Sequence, residues 1–284
     1  MSIKLIAVDM DGTFLTDDKT YNRHRFQAQY EQLKQLNIHF AVASGNQLFK
    51  LMSFFDDFDH DISFVAENGA YVWTENRELN VNHLSADAVE ATYRFLENYP
   101  LYRTVICGKE SAYILSTVTE EGYAASLKYY SRLKTISSYN EIDDTILKVA
   151  LNLQGQCQET LTSAAHRDLS GILVPVTSGH EFVDLIIPGI HKAHGMKALQ
   201  KHLNIDDSEV ITFGDNGNDV EMLRQSGYSF AMSNASAEAK QAARFMTGHN
   251  NGECVLDIID LIISCVRDGS SFDEVLISRT AAFV

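Results

Sequence analysis

Short apolar runs alternate with amphipathic segments in the N-terminal part of the chain. Residues 3–8 form an apolar run without helical periodicity, which indicates a strand buried on both faces of a sheet. Similar runs lie at 38–43 and 62–66, while apolar residues at helical spacing occupy 22–36 and 47–55. Strands that alternate with helices in this way favour a doubly wound α/β fold around a parallel sheet.

From residue 83 the order of predicted elements changes. Helices are predicted at 86–98, 121–133 and 157–169, and strands at 103–107, 112–117, 146–153, 172–177 and 182–187. The alternation then resumes with a helix at 191–203 and a strand at 210–213. We therefore predict a Rossmann-like core of residues 1–82 and 188–284, interrupted by a smaller α+β domain of residues 83–187. A chain of 284 residues is long enough for two domains.

Asp9 and Asp11 follow the first predicted strand at the point where its apolar run ends. Alternate residues of a strand point the same way, so both carboxylates start on one face of its carboxyl end. Gly12 permits a sharp turn, and Thr13 adds a hydroxyl group. Two close carboxylates repel unless a proton or cation separates them, and Mg²⁺ prefers such oxygen ligands. The segment is a candidate catalytic metal site, with a solvated turn as the simpler alternative.

A calcium loop is a further alternative, because residues 9–20 span the length of an EF-hand loop. The glycine, however, lies too early, and Thr20 occupies the position where the loop needs a bidentate glutamate. A strand, rather than a helix, also precedes the segment. These differences argue against calcium.

Composition excludes several classes of partner. A net charge of −15 argues against nucleic-acid binding, which needs clustered lysine and arginine. No apolar stretch approaches the roughly 18 residues of a membrane span, and no signal peptide is evident, so we expect a cytoplasmic protein without a membrane partner. The four cysteines form neither a CxxC pair nor a disulfide framework and are expected to be reduced. Because the net charge of the chain is negative, an anionic substrate would need local positive charge from a metal, a lysine or a helix N-terminus.

Polar residues at the ends of three predicted strands should meet at one edge of the sheet, where open α/β sheets bind ligands. Ser44 and Gly45 follow the second strand, and Asp215 follows the strand at 210–213. Asp215 would add a third carboxylate, although an aspartate there is also typical of a helix N-cap. Lys192 begins the helix at 191–203 and can supply positive charge. The simpler alternatives are a surface lysine and an ordinary serine turn.

Four segments, in this order, resemble the motifs of the haloacid dehalogenase superfamily of phosphatases. They are residues 9–13 (DMDGT), 44–46 (SGN), Lys192 and 214–219 (GDNGND). The long insertion between the second and third motifs resembles the cap domain of the Cof-type branch, with its type IIB cap. Residues 65–70 and 182–192 are similar to those of bacterial sugar phosphatases. The resemblance covers about residues 1–266, leaving the tail unmatched.

This resemblance implies a Mg²⁺-dependent phosphatase of small phosphorylated sugars or related metabolites that forms an aspartyl-phosphate. Asp9 would be the nucleophile, and Asp11 would act as general acid and then general base. The metal would bind the Asp9 side chain, the Asp11 backbone carbonyl and Asp215. Lys192 and Ser44 would hold the phosphate oxygens.

The resemblance also implies supporting roles. The Gly45 amide would contact phosphate, and Asn46 and Asn218 would be further substrate or phosphate contacts. Asn218 and Asp219 would brace Asp215 and Lys192. Many relatives carry arginine where this chain has Asn46, so a positive phosphate contact is replaced by a neutral one. His191 and His194 are expected to be residues of a loop or helix start.

Two other functions stay open at this point. One is a sugar phosphotransferase or phosphomutase, and the other is a binding or sensing protein that only accumulates phosphoaspartate. Asp11 counts against the second, because a receiver needs no acid beyond its phosphoacceptor. We expect a monomer or a small homo-oligomer.

The inserted domain should determine substrate choice. Basic and tyrosine residues cluster in or beside the helix predicted at 121–133, namely Lys128, Tyr129, Tyr130, Arg132 and Lys134. They are candidate sugar contacts, although tyrosines at helical spacing are more often core and charged residues usually form a solvated face. The loop at 177–181 is a second candidate to face the site. Closure of this domain would exclude water.

Overall fold

A computed structural model describes residues 3–58, 61–99, 103–153, 155, 157–177 and 182–280. Its strands, in chain order, are β1 (Leu5–Val8), β2 (His39–Ala43), β3 (Ser63–Ala66), β4 (Tyr71–Thr74), β5 (Arg77–Val81), β6 (Arg103–Gly108), β7 (Ala112–Leu115), β8 (Leu133–Ile136), β9 (Ile146–Asn152), β10 (Val174–Thr177), β11 (Phe182–Ile186), β12 (Val210–Gly214), β13 (Tyr228–Ala231) and β14 (Phe245–Met246). The α-helices are α1 (Arg23–Gln35), α2 (Leu48–Met52), α3 (Ala86–Glu97), α4 (Glu120–Leu127), α5 (Gln158–Asp168), α6 (Lys192–Leu203), α7 (Val220–Gln225), α8 (Ala237–Ala242), α9 (Cys254–Asp268) and α10 (Phe272–Thr280).

The larger sheet has the strand order β14-β13-β12-β1-β2-β3-β4-β5. Neighbouring strands are parallel from β14 to β3, and β3, β4 and β5 form antiparallel hairpins. Side chains of β1 alternate between two apolar clusters, with Ile6 and Val8 in one and Leu5 and Ala7 in the other. The sheet is therefore covered on both faces, which confirms the predicted doubly wound α/β class.

The smaller sheet has the order β10-β11-β9-β6-β7-β8 and lies within the inserted segment. On one face, Ile106 and Val149 pack with the apolar side chains of α3 and α5. The alternate residues Cys107 and Ala150 belong to a separate small cluster on the opposite face. This is the α+β insertion expected from the sequence, while its boundaries at residues 83 and 187 stay a prediction.

The helix predicted at 121–133 is wrong in its second half. Helix α4 ends at Leu127, and Leu133–Ile136 form β8, which pairs in parallel with β7. Pairing satisfies the backbone groups along the open side of β7, and this tertiary gain outweighs the local helical spacing of apolar residues.

Two further parts of the fold were not predicted. Strand β5 extends the sheet beyond β4 with a bulge in its register. The C-terminal residues form α9 and α10, and α9 packs against α1 with Ile259 and Ile262 fully buried. No helix among the described residues is long and apolar enough to cross a membrane.

The burial of α9 makes its apolar face part of the core. We expect Ile262→Ala to lower the free energy of unfolding by about 2–5 kcal/mol, because the lost contacts leave a cavity. Val266 lies on the same helix and is 37% exposed, so Val266→Ala should change stability by no more than about 0.5 kcal/mol. Urea unfolding of both variants measures the difference, and equal losses would show that α9 is not part of the core.

Candidate active site

Three carboxylates meet at the carboxyl end of the central strands. Ligand atoms of Asp9, Asp215 and Asp219 lie within 4.8 Å of one another. Strands β1 and β12 run in parallel with Val8 beside Phe213, and the Asp9 N–H donates to the Phe213 carbonyl at 3.0 Å. The parallel register therefore brings the residues that follow each strand to the same place.

Lys192 supplies the positive charge at this cluster. Its side chain is 0% exposed, and its Nζ donates to Asp9 Oδ1 at 2.6 Å and to Asp219 Oδ1 at 2.7 Å. Because Lys192 is fully buried, the alternative of a solvated surface lysine is wrong. A lysine buried so deeply needs charged partners, and Asp9 and Asp219 supply them.

The start of α6 lies unusually close to the turn after β3. A Cβ atom at Gly69 would lie 2.1 Å from the His191 carbonyl oxygen, so only glycine permits this approach. His191 caps the helix, its Nδ1 accepting from the His194 N–H at 3.3 Å. Both histidines thus lie at the helix start, and the close packing fixes the position of Lys192.

Asp219 orders the loop that carries Asp215. Its Oδ2 accepts from the backbone N–H groups of Asp215 and Asn216 at 2.9 and 3.0 Å, while its Oδ1 accepts from Lys192. Both oxygens are therefore already engaged by protein donors. Asp9 and Asp215 are left as the better side-chain ligands for a cation.

Burial shapes the electrostatics of the remaining carboxylates. Desolvation raises the pKa of Asp9 well above its ordinary range, although the ammonium of Lys192 opposes this. Burial and the charge of Asp219 raise the pKa of Asp215 to about 6. Three acidic groups thus share a single lysine, and excess negative charge in a buried site favours protons or a cation.

The surroundings of Asp215 fit a hard divalent cation. Thr13 Oγ1 donates to Asp215 Oδ1 at 2.9 Å and fixes the carboxylate. A Cβ at Gly12 would lie 2.5 Å from Asp215 Oδ2, so the glycine keeps this side of the carboxylate open. Asp9, Asp215 and the Asp11 carbonyl are oxygen donors of the kind that Mg²⁺ prefers.

Asp11 is held by two hydrogen bonds. Lys19 Nζ donates to its Oδ1 at 2.6 Å, and Asn46 Nδ2 donates to its Oδ2 at 2.6 Å. Asn46, predicted as a phosphate contact, is thus placed against the Asp11 carboxylate. Lys19 was missed from the sequence, where it belongs to a polar stretch typical of a solvated loop.

The segment around Ser44 is tied to the turn that follows β3. The N–H of Asn68 donates to the Ser44 carbonyl at 3.0 Å, and the N–H of Glu67 donates to the Asn46 carbonyl at 3.2 Å. Asn46 N–H also donates to Ser44 Oγ at 3.1 Å. These bonds hold the Ser44 hydroxyl and the Gly45 backbone at the edge of the site.

This turn has an uncommon backbone. Glu67, Asn68 and Gly69 have φ angles of 51°, 55° and 93°, so three successive residues adopt left-handed conformations. Such conformations are unfavourable for residues other than glycine and persist only where the surroundings impose them. The contacts of the turn with the Ser44 segment and with α6 impose them here.

Two buried charged residues of the smaller sheet reach the same loops. Lys148 Nζ donates to the Gly45 carbonyl at 2.6 Å and to Asp184 Oδ2 at 2.8 Å. Asn68 Nδ2 donates to the same Asp184 oxygen at 2.6 Å, and Asn218 Nδ2 donates to Asn68 Oδ1 at 3.0 Å. Asn218, predicted to contact substrate, thus joins this chain of hydrogen bonds. Lys148 and Asp184 were missed, although a charged residue inside an otherwise apolar strand is a usable signal.

A cavity of about 860 Å³ opens over the cluster, between the two sheets. Its walls include Asp9, Asp11, Ser44, Gly45, Asn46, Asp215 and Asn218 from the core and Tyr129, Tyr130, Lys148, Phe182 and Asp184 from the insertion. The rings of Tyr129 and Phe182 lie edge to face, with centroids 5.4 Å apart. The cavity therefore has room for an organic group beyond a phosphate.

The other members of the predicted cluster lie elsewhere. The Arg132 guanidinium lies 3.3 Å from the centre of the Phe49 ring, and Lys134 Nζ lies 5.6 Å from that of Tyr113. Lys128 is exposed just after α4. None of these three basic residues lines the cavity. Of the loop at 177–181, only Thr177 is among the described residues, and it also lines the cavity.

A family model of haloacid dehalogenase-like hydrolases matches residues 6–259 of this chain. The 5-amino-6-(5-phospho-D-ribitylamino)uracil phosphatase YbjI of Escherichia coli (strain K12) is 48% identical over 274 residues, which are 96% of this chain and 100% of that protein. The Bacillus subtilis (strain 168) phosphatase YitU, with the same named substrate, is 24% identical over 88% of this chain and 94% of its own. The crystal structure of SMU.1108c from Streptococcus mutans UA159 has a TM-score of 0.88 and 32% identity, covering 93% of this chain and 100% of that one.

Glu67 should make stability depend on pH. Burial raises the pKa of Glu67 from 4.5 to about 7, although the charge of Lys148 opposes this. Between these pH values the folded chain holds a proton that the unfolded chain has lost, so stability falls as pH rises through this window. Urea unfolding at a series of pH values should show that the free energy of unfolding falls less with rising pH in Glu67→Gln than in the wild type. Parallel profiles for the two proteins would contradict the raised pKa.

Proposed function

Because this chain belongs to the haloacid dehalogenase-like hydrolases, we propose that its phosphatase activity requires Mg²⁺ and proceeds through phosphorylation of Asp9. The chain is a phosphoric monoester hydrolase that acts on a phosphorylated metabolite. The observation that best supports the proposed chemistry is the pairing of Asp9 with a buried lysine, next to a second aspartate held by its own donors. This arrangement supplies a nucleophile, a positive charge and an acid in one site.

Asp9 is the proposed nucleophile. Its Oδ1 is bound by Lys192, which keeps the carboxylate oriented and neutralises part of its charge. Attack of the carboxylate on phosphorus splits a difficult hydrolysis into two easier displacements. The bond from phosphorus to the leaving oxygen breaks as the bond to Asp9 forms, and water then releases the phosphate.

Asp11 is the proposed acid and base. It gives a proton to the departing alcohol oxygen and later takes one from the attacking water. Lys19 and Asn46 hold its two oxygens, so the carboxyl group enters the reaction already oriented. When the substrate binds, Lys19 or Asn46 must release its Asp11 oxygen or share it with the leaving group.

The phosphate oxygens are bound by three groups in this proposal. Lys192 supplies charge, and the Ser44 hydroxyl and the Gly45 N–H supply hydrogen bonds where charge spreads in the transition state. Bound Mg²⁺, with Asp9, Asp215 and the Asp11 carbonyl as ligands, would neutralise further phosphate charge. Asn218 is hydrogen-bonded to Asn68 and holds the edge of this site in place.

We propose a sugar or sugar-alcohol phosphate as the substrate, with 5-amino-6-(5-phospho-D-ribitylamino)uracil as the first candidate. The similarity to YbjI supports this choice. A cavity of about 860 Å³ can hold a ribityl chain and a heterocycle, and the Tyr129 and Phe182 rings offer aromatic surface for the latter. The proposal includes action in the cytoplasm, which the free thiols of all four cysteines support.

Substitution of the two aspartates tests the chemistry. We expect Asp9→Asn to abolish phosphate release from this substrate and from p-nitrophenyl phosphate, because the amide cannot attack phosphorus. Asp11→Asn should be slowed about 10²- to 10⁴-fold and should accumulate phosphorylated enzyme, detectable by intact mass. Asp18→Asn, at an exposed aspartate of the same loop, is the matched control and should keep full activity. Near-normal turnover in Asp9→Asn would refute the nucleophile. Phosphate transfer to an added sugar in preference to water would favour a phosphotransferase.

Metal dependence should itself vary with pH. Ligand carboxylates must lose their protons before a metal binds. Because the pKa of Asp215 is raised to about 6, Mg²⁺ should raise the melting temperature at about pH 7.5 and lose this effect as pH falls below about 6. Asp215→Asn should remove the Mg²⁺ response at about pH 7.5 as well. Phosphate release undiminished by EDTA would contradict the Mg²⁺ requirement.

A further inference from the structure

We propose that Lys148 and Asp184 of the inserted domain are positioning residues that orient the Ser44 hydroxyl and the Asp11 carboxyl when this domain rests on the core. The inference depends on the proposed function, since it assigns these two side chains to the same reaction. Neither residue belongs to the four sequence motifs. Both act through core residues in this proposal.

Lys148 and Asp184 lie on the face of the smaller sheet that is turned toward the core. Lys148 on β9 pairs with Cys107 on β6, and Asp184 on β11 pairs with Ala150 on β9. Lys148 and Ala150 are two residues apart in β9, so Lys148 and Asp184 are diagonal neighbours on one face. Their exposed fractions are 2% and 3%, so both charges are taken out of water.

Lys148 contacts the core at the Glu67 carboxylate, 3.5 Å from its Nζ, and by a shorter hydrogen bond to one peptide group. Its Nζ donates to the Gly45 carbonyl at 2.6 Å, and the N–H of that same peptide, on Asn46, donates to Ser44 Oγ at 3.1 Å. An N–H that occupies a lone pair of Ser44 Oγ leaves the hydroxyl hydrogen free to donate to phosphate. A cationic donor on the carbonyl also polarises the peptide and strengthens its other hydrogen bond.

The same peptide also determines the position of Asp11. Asn46 carries the amide that donates to Asp11 Oδ2 at 2.6 Å. A rotation of the Gly45–Asn46 peptide would therefore displace the phosphate donor and the acid together. A single hydrogen bond from Lys148 opposes that rotation.

Asp184 holds Lys148 in place and connects it to a second core loop. Its Oδ2 accepts from Lys148 at 2.8 Å and from Asn68 Nδ2 at 2.6 Å, and Asn68 Oδ1 accepts from Asn218. The hydrogen-bond chain thus runs from the loop after β12 to the loop after β2 through two residues of the insertion. Both loops border the proposed phosphate site.

The charges are arranged so that this contact can break and form again. Lys148 and Asp184 belong to the same domain and stay paired if it lifts from the core, so neither is left as an isolated charge. On the core side, the Gly45 carbonyl, the Asn68 amide and the Gln47 side chain lose hydrogen bonds, which water can replace once these groups are exposed. Glu67 loses its 3.5 Å ion pair with Lys148 and would then also be exposed to water. The catalytic groups would be fully ordered only with the inserted domain in place.

Kinetics of Lys148→Met test the proposal. We expect kcat for p-nitrophenyl phosphate and for the ribityl phosphate to fall roughly 10- to 100-fold, with a smaller change in KM, because misplaced reacting groups raise the barrier more than they weaken binding. Lys109→Met is the matched control. Lys109 also joins the two domains, through Glu78 Oε2 at 2.6 Å, but on the surface and away from the cavity. The kcat of Lys109→Met should stay within about twofold of the wild-type value.

A double variant separates positioning from stability. Lys148→Met leaves Asp184 and Glu67 buried without their shared cation and should destabilise the fold, whereas Lys148→Met/Asp184→Leu also removes the charge of Asp184 and should regain part of the lost stability in urea unfolding. Its kcat should stay as low as that of Lys148→Met, since the Gly45 hydrogen bond is still missing. Asp184→Asn keeps the side-chain shape and should lower kcat in the same direction.

Recovery of wild-type kcat in the double variant would overturn the proposal, because it would reduce the pair to a structural role. Equal kcat in Lys148→Met and Lys109→Met would overturn it as well. These outcomes require an active wild-type enzyme. Absence of phosphate release by the wild type would instead contradict the proposed function, so the two failures are distinguishable.

Discussion

The fully buried ammonium of Lys192 is shared between Asp9 and Asp219. A buried carboxylate without a cationic partner would take up a proton, and a protonated Asp9 could not attack phosphorus. Lys192 opposes the rise in the pKa of Asp9 and also anchors Asp219, which holds the loop of Asp215. The geometry of the whole site therefore depends on the placement of one lysine at the start of α6.

That placement is a consequence of close backbone packing. The start of α6 approaches the turn after β3 so closely that Gly69 admits no side chain, and Gly195, one turn further, would place a Cβ 2.4 Å from Val65. Parallel pairing of β1 with β12 and β2 then brings the ends of three strands beside this helix start. The sheet therefore places the carboxylates at one edge. The close packing at Gly69 and Gly195 brings the start of α6 near enough for the Lys192 side chain to reach them.

The meeting of Asp9 and Asp215 was predictable, because strand ends of a parallel sheet share an edge whatever their separation along the chain. Lys192 was predicted to supply charge at the same edge from the start of its helix. The roles of Lys148 and Asp184 were not. Each lies in a correctly predicted strand, but its contact with Gly45 or Asn68 depends on how the smaller sheet sits on the larger one. The helix predicted at 121–133 failed for a related reason, since pairing of β8 with β7 is not visible in local spacing.

The two buried lysines illustrate a difference between fixed and reversible contacts. Lys192 is paired entirely with core residues, so its hydrogen bonds need not break during turnover. Lys148 is paired with Asp184 inside the insertion, and it reaches the core through the neutral Gly45 carbonyl and, at 3.5 Å, through the Glu67 carboxylate. The left-handed turn at Glu67 and Asn68 contacts both the insertion and the core. Asn68 donates to Asp184 of the insertion and accepts from Asn218 of the core. This backbone conformation is locally unfavourable, and hydrogen bonds from both domains stabilise it. The full set of these hydrogen bonds forms only when the two domains are in contact.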